Sequence, residues 1–373
     1  MKKFITFRNR TRGFSLVELM VALTIGLIIL AAVSTLFVNS KQSYTTQDSL
    51  ARLQESARFA MHFLIKDLRL AGYYGCVSDI APESVFSTLN GSDFAYNVQI
   101  PLEGVNNIGG TEANPSGQWY PSANTVMPAN AMPGTDAVAI RLADSSSPVY
   151  LREEMPNTSA VLKVSATTGI SDNDVIMISD CFSADILQVT QINSTDPHLV
   201  HNTGVGVPGN AQKELSKSYS PTNGPGGTRV MRFKTNTYFI RTGASGNPAL
   251  FRRENNGTPV ELVDGIEHLQ IVYGVDTDGD KVPNRYLKAG DAGLATAAEW
   301  DTVVSVRLGI LATTLDDAAT GKSKEFDRDT NNYDVDGDCA PNAALTDACF
   351  ELSSPNDRYK RRLFQTVVQL RNL

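Results

Sequence analysis

Glu18 puts a carboxylate where this chain can least easily keep one. It lies five residues into an apolar run opened by Phe14, and behind it Leu19–Val38 is a stretch of 20 residues without a charge. As a helix that stretch spans about 30 Å, the thickness of one bilayer core. A carboxylate carried to mid-membrane costs about 2.5–3.5 kcal/mol, and less near the interface, so its retention calls for a function. Two charges that are each costly in lipid can offset one another across a contact, which makes ion pairing the chemistry open to Glu18.

A second acidic pattern suits a cation. Asp276-Thr277-Asp278-Gly279-Asp280 sets three carboxylates at alternate positions, the opening of a calcium loop. An EF-hand needs Gly at position six and Glu at position twelve, where this chain has Lys281 and Leu287, so an EF-hand is excluded. Two readings stand: a looser calcium site completed by Asn284 or backbone carbonyls, weakened by the adjacent Lys281, or an acidic hairpin tip with Asp278-Gly279 as its turn. Asp334, Asp336 and Asp338 repeat the spacing just before Cys339, after Asp327, Asp329 and Asn331. Calcium is therefore the one cofactor worth testing, and none is required.

Other reactive types point away from catalysis. His198 and His201 stand three apart with no helix or acid in support, and are expected as surface loop residues. Gly204–Gly209 spells G-x-G-x-x-G, but Pro208 breaks any helix start and no βαβ unit follows. G-x-S-x-G, H-E-x-x-H and P-loop strings are absent, and the chain is expected not to be an enzyme. Trp119, Trp300, Tyr73 and Tyr74 are expected to pack in the core and at sheet edges.

Four cysteines, Cys76, Cys181, Cys339 and Cys349, lie beyond the apolar stretch. If that part is exported, an even count in an oxidising compartment favours disulfides. Three pairings are open; the favoured one closes a short loop between Cys339 and Cys349 and ties a helical stem to a sheet through Cys76–Cys181.

These residues need elements to hold them. Apolar positions recur every three or four residues at Leu50, Leu53, Ala57, Ala60, Leu64, Leu68 and Ala71, with charges between, so the apolar helix continues as an amphipathic one until Gly72 and Gly75. One helix over 14–71 is the expectation. Residues 76–135, rich in Gly, Pro, Asn and Ser, read as long loops with short strands. Beyond Asp136, strands are expected at Ala137–Leu142, Val161–Ser165, Asp174–Ile178, Ile186–Ile192, Arg229–Arg241, Ala249–Arg253, Ile266–Val275, Thr302–Thr313 and Arg362–Leu370. Residues 194–228 read as a flexible insertion.

Gly13-Phe14-Ser15-Leu16-Val17-Glu18 resembles the class III signal of type IV prepilins and pseudopilins. An ordinary secretory signal would place its cleavage site after the apolar segment. The resemblance implies that a prepilin peptidase cuts after Gly13, that Phe14 becomes the N-methylated N-terminus, and that Glu18 pairs with a neighbouring subunit's N-terminal amine. Lys2, Lys3, Arg8, Arg10 and Arg12 would hold the N-terminus in the cytoplasm. Removing thirteen leader residues leaves 360 and moves the formal charge from −7 to −12, an acidic balance that gives no indication of nucleic-acid binding.

Further blocks are similar to the PilW family of minor pilins: Asp67–Cys76, Ser179–Thr190, Val263–Asp276 and Phe364–Asn372. The resemblance implies an α+β pilin-like fold, with a long N-terminal helix packed on an enlarged antiparallel sheet. The expected organisation is a leader at 1–13, a transmembrane and assembly helix at 14–38, an amphipathic helix at 39–75 and a β-rich head at 76–373. It implies a minor pilin that primes assembly and sits at or near the pilus tip. Its partners would be other minor pilins, the major pilin, a PilY-type tip adhesin, the prepilin peptidase and the inner-membrane assembly platform. It would be a single-pass inner-membrane protein before assembly, and then part of the surface pilus. A J-type pseudopilin of type II secretion and a membrane-tethered calcium-binding adhesin are the alternatives.

Overall fold

A computed structural model of the chain describes residues 15–75, 85–91, 93–222, 226–315 and 359–372. The expected long helix is continuous: α1 runs Leu16–Leu68 without a break where the apolar stretch ends. Its first half is bare, and its second half buries one stripe formed by Leu53, Ala57, Ala60, Met61, Leu64, Asp67 and Leu68. These positions recur at three- and four-residue steps, so they share a face. The helix stops three residues short of Ala71 because the chain turns through Gly72, at φ +71°, whose N–H donates to the Arg141 carbonyl at 3.0 Å. Glycine suits that left-handed turn.

Strands follow in chain order: β1 (Phe86–Ser87), β2 (Leu102–Val105), β3 (Gly109–Thr111), β4 (Asn114–Ser116), β5 (Ala137–Tyr150), β6 (Leu162–Lys163), β7 (Val175–Ser179), β8 (Ala184–Gln188) and β9 (Gln191–Asn193). Then come β10 (His198–Val200), β11 (Arg229–Thr242), β12 (Pro248–Glu254), β13 (Val260–Asp264), β14 (Ile266–Val275), β15 (Arg285–Leu287), a short helix α2 (Ala297–Trp300), β16 (Val303–Thr313) and β17 (Arg361–Gln369). All nine expected strands are present, although the expected Ile186–Ile192 is two strands. After Gln188 the chain leaves its hairpin partner, and the Thr190 N–H donates instead to Val200 at 2.7 Å.

Two sheets carry the head. The larger is centred on β11, with β5 along one edge and β7 then β12 along the other, and is extended by β2, β8, β1 and β13. Every pair in it is antiparallel except β1–β8. The smaller sheet has the order β15-β14-β16-β17. The buried stripe of α1 packs with side chains from both sheets, among them Tyr238 and Ile240 of one and Ile271 and Leu308 of the other. The sheets also meet at Gly104, where a Cβ would overlap the Tyr273 hydroxyl. The class is α+β, a long apolar helix on an antiparallel-rich head.

Two polar clusters lie within this core. Asp67 accepts from Tyr238 Oη at 2.5 Å and from Asn236 Nδ2 at 2.7 Å, fastening α1 to β11. Arg141 and Glu103 form a fully buried ion pair at 2.9 Å, and the guanidinium also donates to the Ile100 carbonyl at 2.6 Å. That pair ties the 94–105 segment to β5.

Residues 194–222 are not a flexible insertion. Asn210 Nδ2 donates to the Gln188 carbonyl at 2.8 Å, and Asn210 Oδ1 accepts from the Gln188 N–H at 2.8 Å. Leu199, Leu215 and Tyr219 are buried there. His201, expected at the surface, is buried with Nε2 2.9 Å from the Ala160 carbonyl oxygen. The glycines and prolines of this stretch shape packed turns around apolar anchors too sparse to show a period. Trp119, Trp300 and Tyr74 are core residues, and Tyr73 is half-buried.

Replacing Asp67 by Ala would strand two buried donors, each costing roughly 1–3 kcal/mol, whereas Tyr238→Phe removes a single bond worth about 1.5 kcal/mol. Thermal denaturation of the full chain in detergent should show both variants destabilised, Asp67→Ala the more. Losses within about 0.5 kcal/mol, as for surface changes, would contradict the clamp.

Candidate functional site

The start of α1 is built for a charge. Ser15 is the N-cap with extended backbone, and its N–H donates to Glu18 Oε2 at 3.0 Å. Glu18 thus lies in the first turn, where the free N–H groups and the helix dipole favour an anion. Gly13 and Phe14 lie outside the described residues. From Leu16 to Val38 every large apolar side chain is at least half exposed, so the chain itself offers this surface no cover. The helix is long and apolar enough to cross a membrane.

A second cluster surrounds Cys181 in the turn between β7 and β8. Cys181 sits at φ +73° and is disulfide-bonded; Cys76, Cys339 and Cys349 lie outside the described residues. Asp180 accepts from the N–H groups of Phe182 and Ser183, each at 3.1 Å, and pairs with Lys217. Burial would raise the Asp180 carboxyl, but Lys217 and the two N–H groups outweigh it and hold it below its usual range. The turn is therefore rigid, and it presents Phe182 at 75 % exposure.

The Asp276–Asp280 loop does bring its three carboxylates together, with ligand atoms within 4.8 Å of one another. Its backbone already uses much of that capacity. Asp276 Oδ1 accepts from Asp278 N at 3.1 Å and Gly279 N at 2.7 Å, and Oδ2 accepts from Lys281 N at 2.8 Å. Asn284 Oδ1 accepts from Thr277 N at 2.6 Å and Thr277 Oγ1 at 2.9 Å. The loop is closed by its own donors, and Asp280 Oδ1 also accepts from Val282 N at 2.7 Å, so the exposed Asp278 and Asp280 keep only part of their capacity for a cation. Asp334, Asp336 and Asp338 lie outside the described residues.

At the C-terminal sheet, Glu267 pairs with Arg361 at 2.5 Å where β14 and β17 approach across β16. Burial, and then the Arg361 charge, push the neighbouring His268 down to about 4, so it is neutral at pH 7. Neither this pair nor the Asp67 clamp was anticipated; charged residues inside otherwise apolar alternation were their only signal.

Residues 237–372 match the family model described as type IV pilus-assembly protein W. The match begins within β11 and takes in the whole of the smaller sheet. Residues 8–34 match the prokaryotic N-terminal methylation motif, which spans the Gly13-Phe14 junction and Glu18. Of the four recognised blocks, Val263–Asp276 and Phe364–Asn372 fall inside the first match, while Asp67–Cys76 and Ser179–Thr190 fall in neither. No curated protein matches the chain.

The closed acidic loop yields a quantitative expectation. Calorimetric titration should find calcium binding no tighter than on the order of 10⁻³ M, and the Asp278→Asn, Asp280→Asn double variant should abolish it. Micromolar affinity would mean that the loop opens to chelate.

Proposed function

We propose that this chain, which matches the PilW family model over residues 237–372 and the N-terminal methylation motif over residues 8–34, is a PilW-like type IV pilin anchored by its apolar helix, a minor subunit that helps to prime pilus assembly and stays at or near the pilus tip. The observation that carries the reading is the α1 stem. Its apolar half has no cover within the chain, and its one carboxylate stands in the first turn beside the cleavage junction. Lipid covers that surface before assembly, and neighbouring stems cover it afterwards. Glu18 then answers the amine of an adjacent subunit's Phe14, the new N-terminus left by prepilin peptidase. Size supports a minor role, since 360 mature residues are bulky for a subunit repeated along a filament.

The leader cations favour a cytoplasmic N-terminus and an exported head. Other minor pilins, the major pilin, the inner-membrane platform and a PilY-type adhesin are the expected partners. The role is structural. The match over the C-terminal sheet favours this reading over a J-type pseudopilin, and the self-closed Asp276 loop lends no weight to a calcium-dependent tethered adhesin. We also pair Cys181 with Cys76 and Cys339 with Cys349. Gly75 supports the first pairing: a Cβ there would stand 3.1 Å from Ser179 Cβ, two residues from Cys181. Peptide mapping without reductant reads the pairing, and a Cys181–Cys339 or Cys181–Cys349 peptide would refute it.

Glu18→Ala should leave membrane insertion intact while removing the protein from surface filaments. Deleting the gene should lower the number of pili per cell more than their length, and immunogold label against the head should collect at filament ends. Normal incorporation of Glu18→Ala, or label spread along the shaft, would overturn the proposal.

A further inference from the structure

The smaller sheet ends on β17, and among the described residues no strand pairs with its outer edge. Beside β17, the Leu370 N–H donates to Val304 and Lys360 accepts from the Thr314 N–H. The ladder between β16 and β17 runs without a register shift, so even-numbered residues of β17 bond inward. The odd-numbered ones therefore turn their N–H and C=O groups outward. Among the described residues no main chain pairs with those of Leu363, Val367 and Gln369. Natural sheets blunt such edges with short strands, prolines or bulges. This edge has nine residues and neither of the other two.

A groove lies beneath that edge. A stretch of about 770 Å³ lies between α1 and β17, with Ala57, Met61, Ile65 and Phe364 on its floor, and past Ile65 a second of about 580 Å³ lies between the end of α1 and Arg371–Asn372, just beyond β17. The rim of the groove, among the described residues, carries Arg58, Lys66, Arg69, Arg362 and Arg371 against a single acid, Glu55. Among the described residues none of the five cations has an ion-pair partner, in a chain whose net charge is −7. Among the described residues no further strand covers this flank of α1, and the groove there is basic.

We infer that this seam receives an extended, acidic strand from another pilus subunit, added to the β17 edge. The strand bonds through its main chain to Leu363, Val367 and Gln369. Alternate apolar side chains fill the groove, and its carboxylates meet the five cations. Strand addition takes its affinity from main-chain bonds and its selectivity from the alternate side chains, and here the charge selects an acidic partner over a basic one. The inference rests on the reading of the chain as a pilus subunit.

The test uses the full chain in piliated cells, with a photo-crosslinking phenylalanine derivative at Gln369 and a control at the exposed Val260 of β13. Crosslinked peptides are identified from sheared filaments. The expected product joins Gln369 to a peptide of a different pilus subunit in which apolar and acidic residues alternate; Val260 does not give it. Val367→Pro removes an outward N–H while sparing the β16 ladder, so the head should stay folded by thermal melt and the crosslink should disappear. Val367→Thr should retain the crosslink, and the Arg58→Glu, Arg362→Glu pair should weaken it several-fold. No crosslink in filaments that contain the protein, a crosslink to a second copy or to an apolar stem, or persistence in Val367→Pro would each overturn the inference. Absence of the protein from filaments counts against the pilus-subunit reading instead, and the Gln369 crosslink is then judged by the same criteria in the membrane fraction.

Discussion

One helix has to satisfy two surroundings, and the rest of the molecule follows from how it does so. Up to Val38 the side chains of α1 are apolar on every side, and none of the large ones is covered by the chain. Beyond Asn39 polar residues take over all but one stripe, which is buried to near completion between the two sheets. Because the backbone stays helical across the change, anything that grips the stem also moves the head. A hydrophobic surface of that extent is unstable in water, so the stem needs a cover such as lipid, for which it is long and apolar enough.

The head is fastened to that helix by polar contacts as well as by packing. Asp67 reaches β11 and Asn372 reaches back to the carbonyls of Arg69 and Ala71, so the end of α1 is held by the larger sheet and by the C-terminus. Buried donors and acceptors of this kind cost free energy when unpaired, and they therefore favour one docking of helix on sheet over many. The Glu103–Arg141 pair acts in the same way on the loops that cover the larger sheet.

Much of this was legible in the residues, and for identifiable reasons. The continuous helix, the uncovered stem and the nine principal strands follow from apolar periodicity, which local sequence encodes directly. The short strands β1 and β2 exist because distant segments, β8 and β5, pair with them, and two to four residues carry no period. Residues 194–222 misled for a related reason: glycine and proline mark turns, but only the pairing of Asn210 with Gln188 makes those turns ordered. At the candidate site, Glu18 stood out because its cost in an apolar run is visible without a structure. The Asp276 triplet looked open because spacing shows where carboxylates are and not which backbone N–H groups they already serve. The basic seam along β17 combines residues some three hundred positions apart, so no local reading could assemble it.

The central claim is that the stem is cut at Gly13-Phe14 and carried into a filament, and mass spectrometry of the N-terminal peptide addresses it most directly. Sheared surface filaments and membranes from the same cells should both be digested and compared. A peptide beginning at N-methylated Phe14 is expected in the filament fraction. An intact Met1 peptide confined to membranes would contradict it, leaving a protein that keeps its leader and never leaves the bilayer.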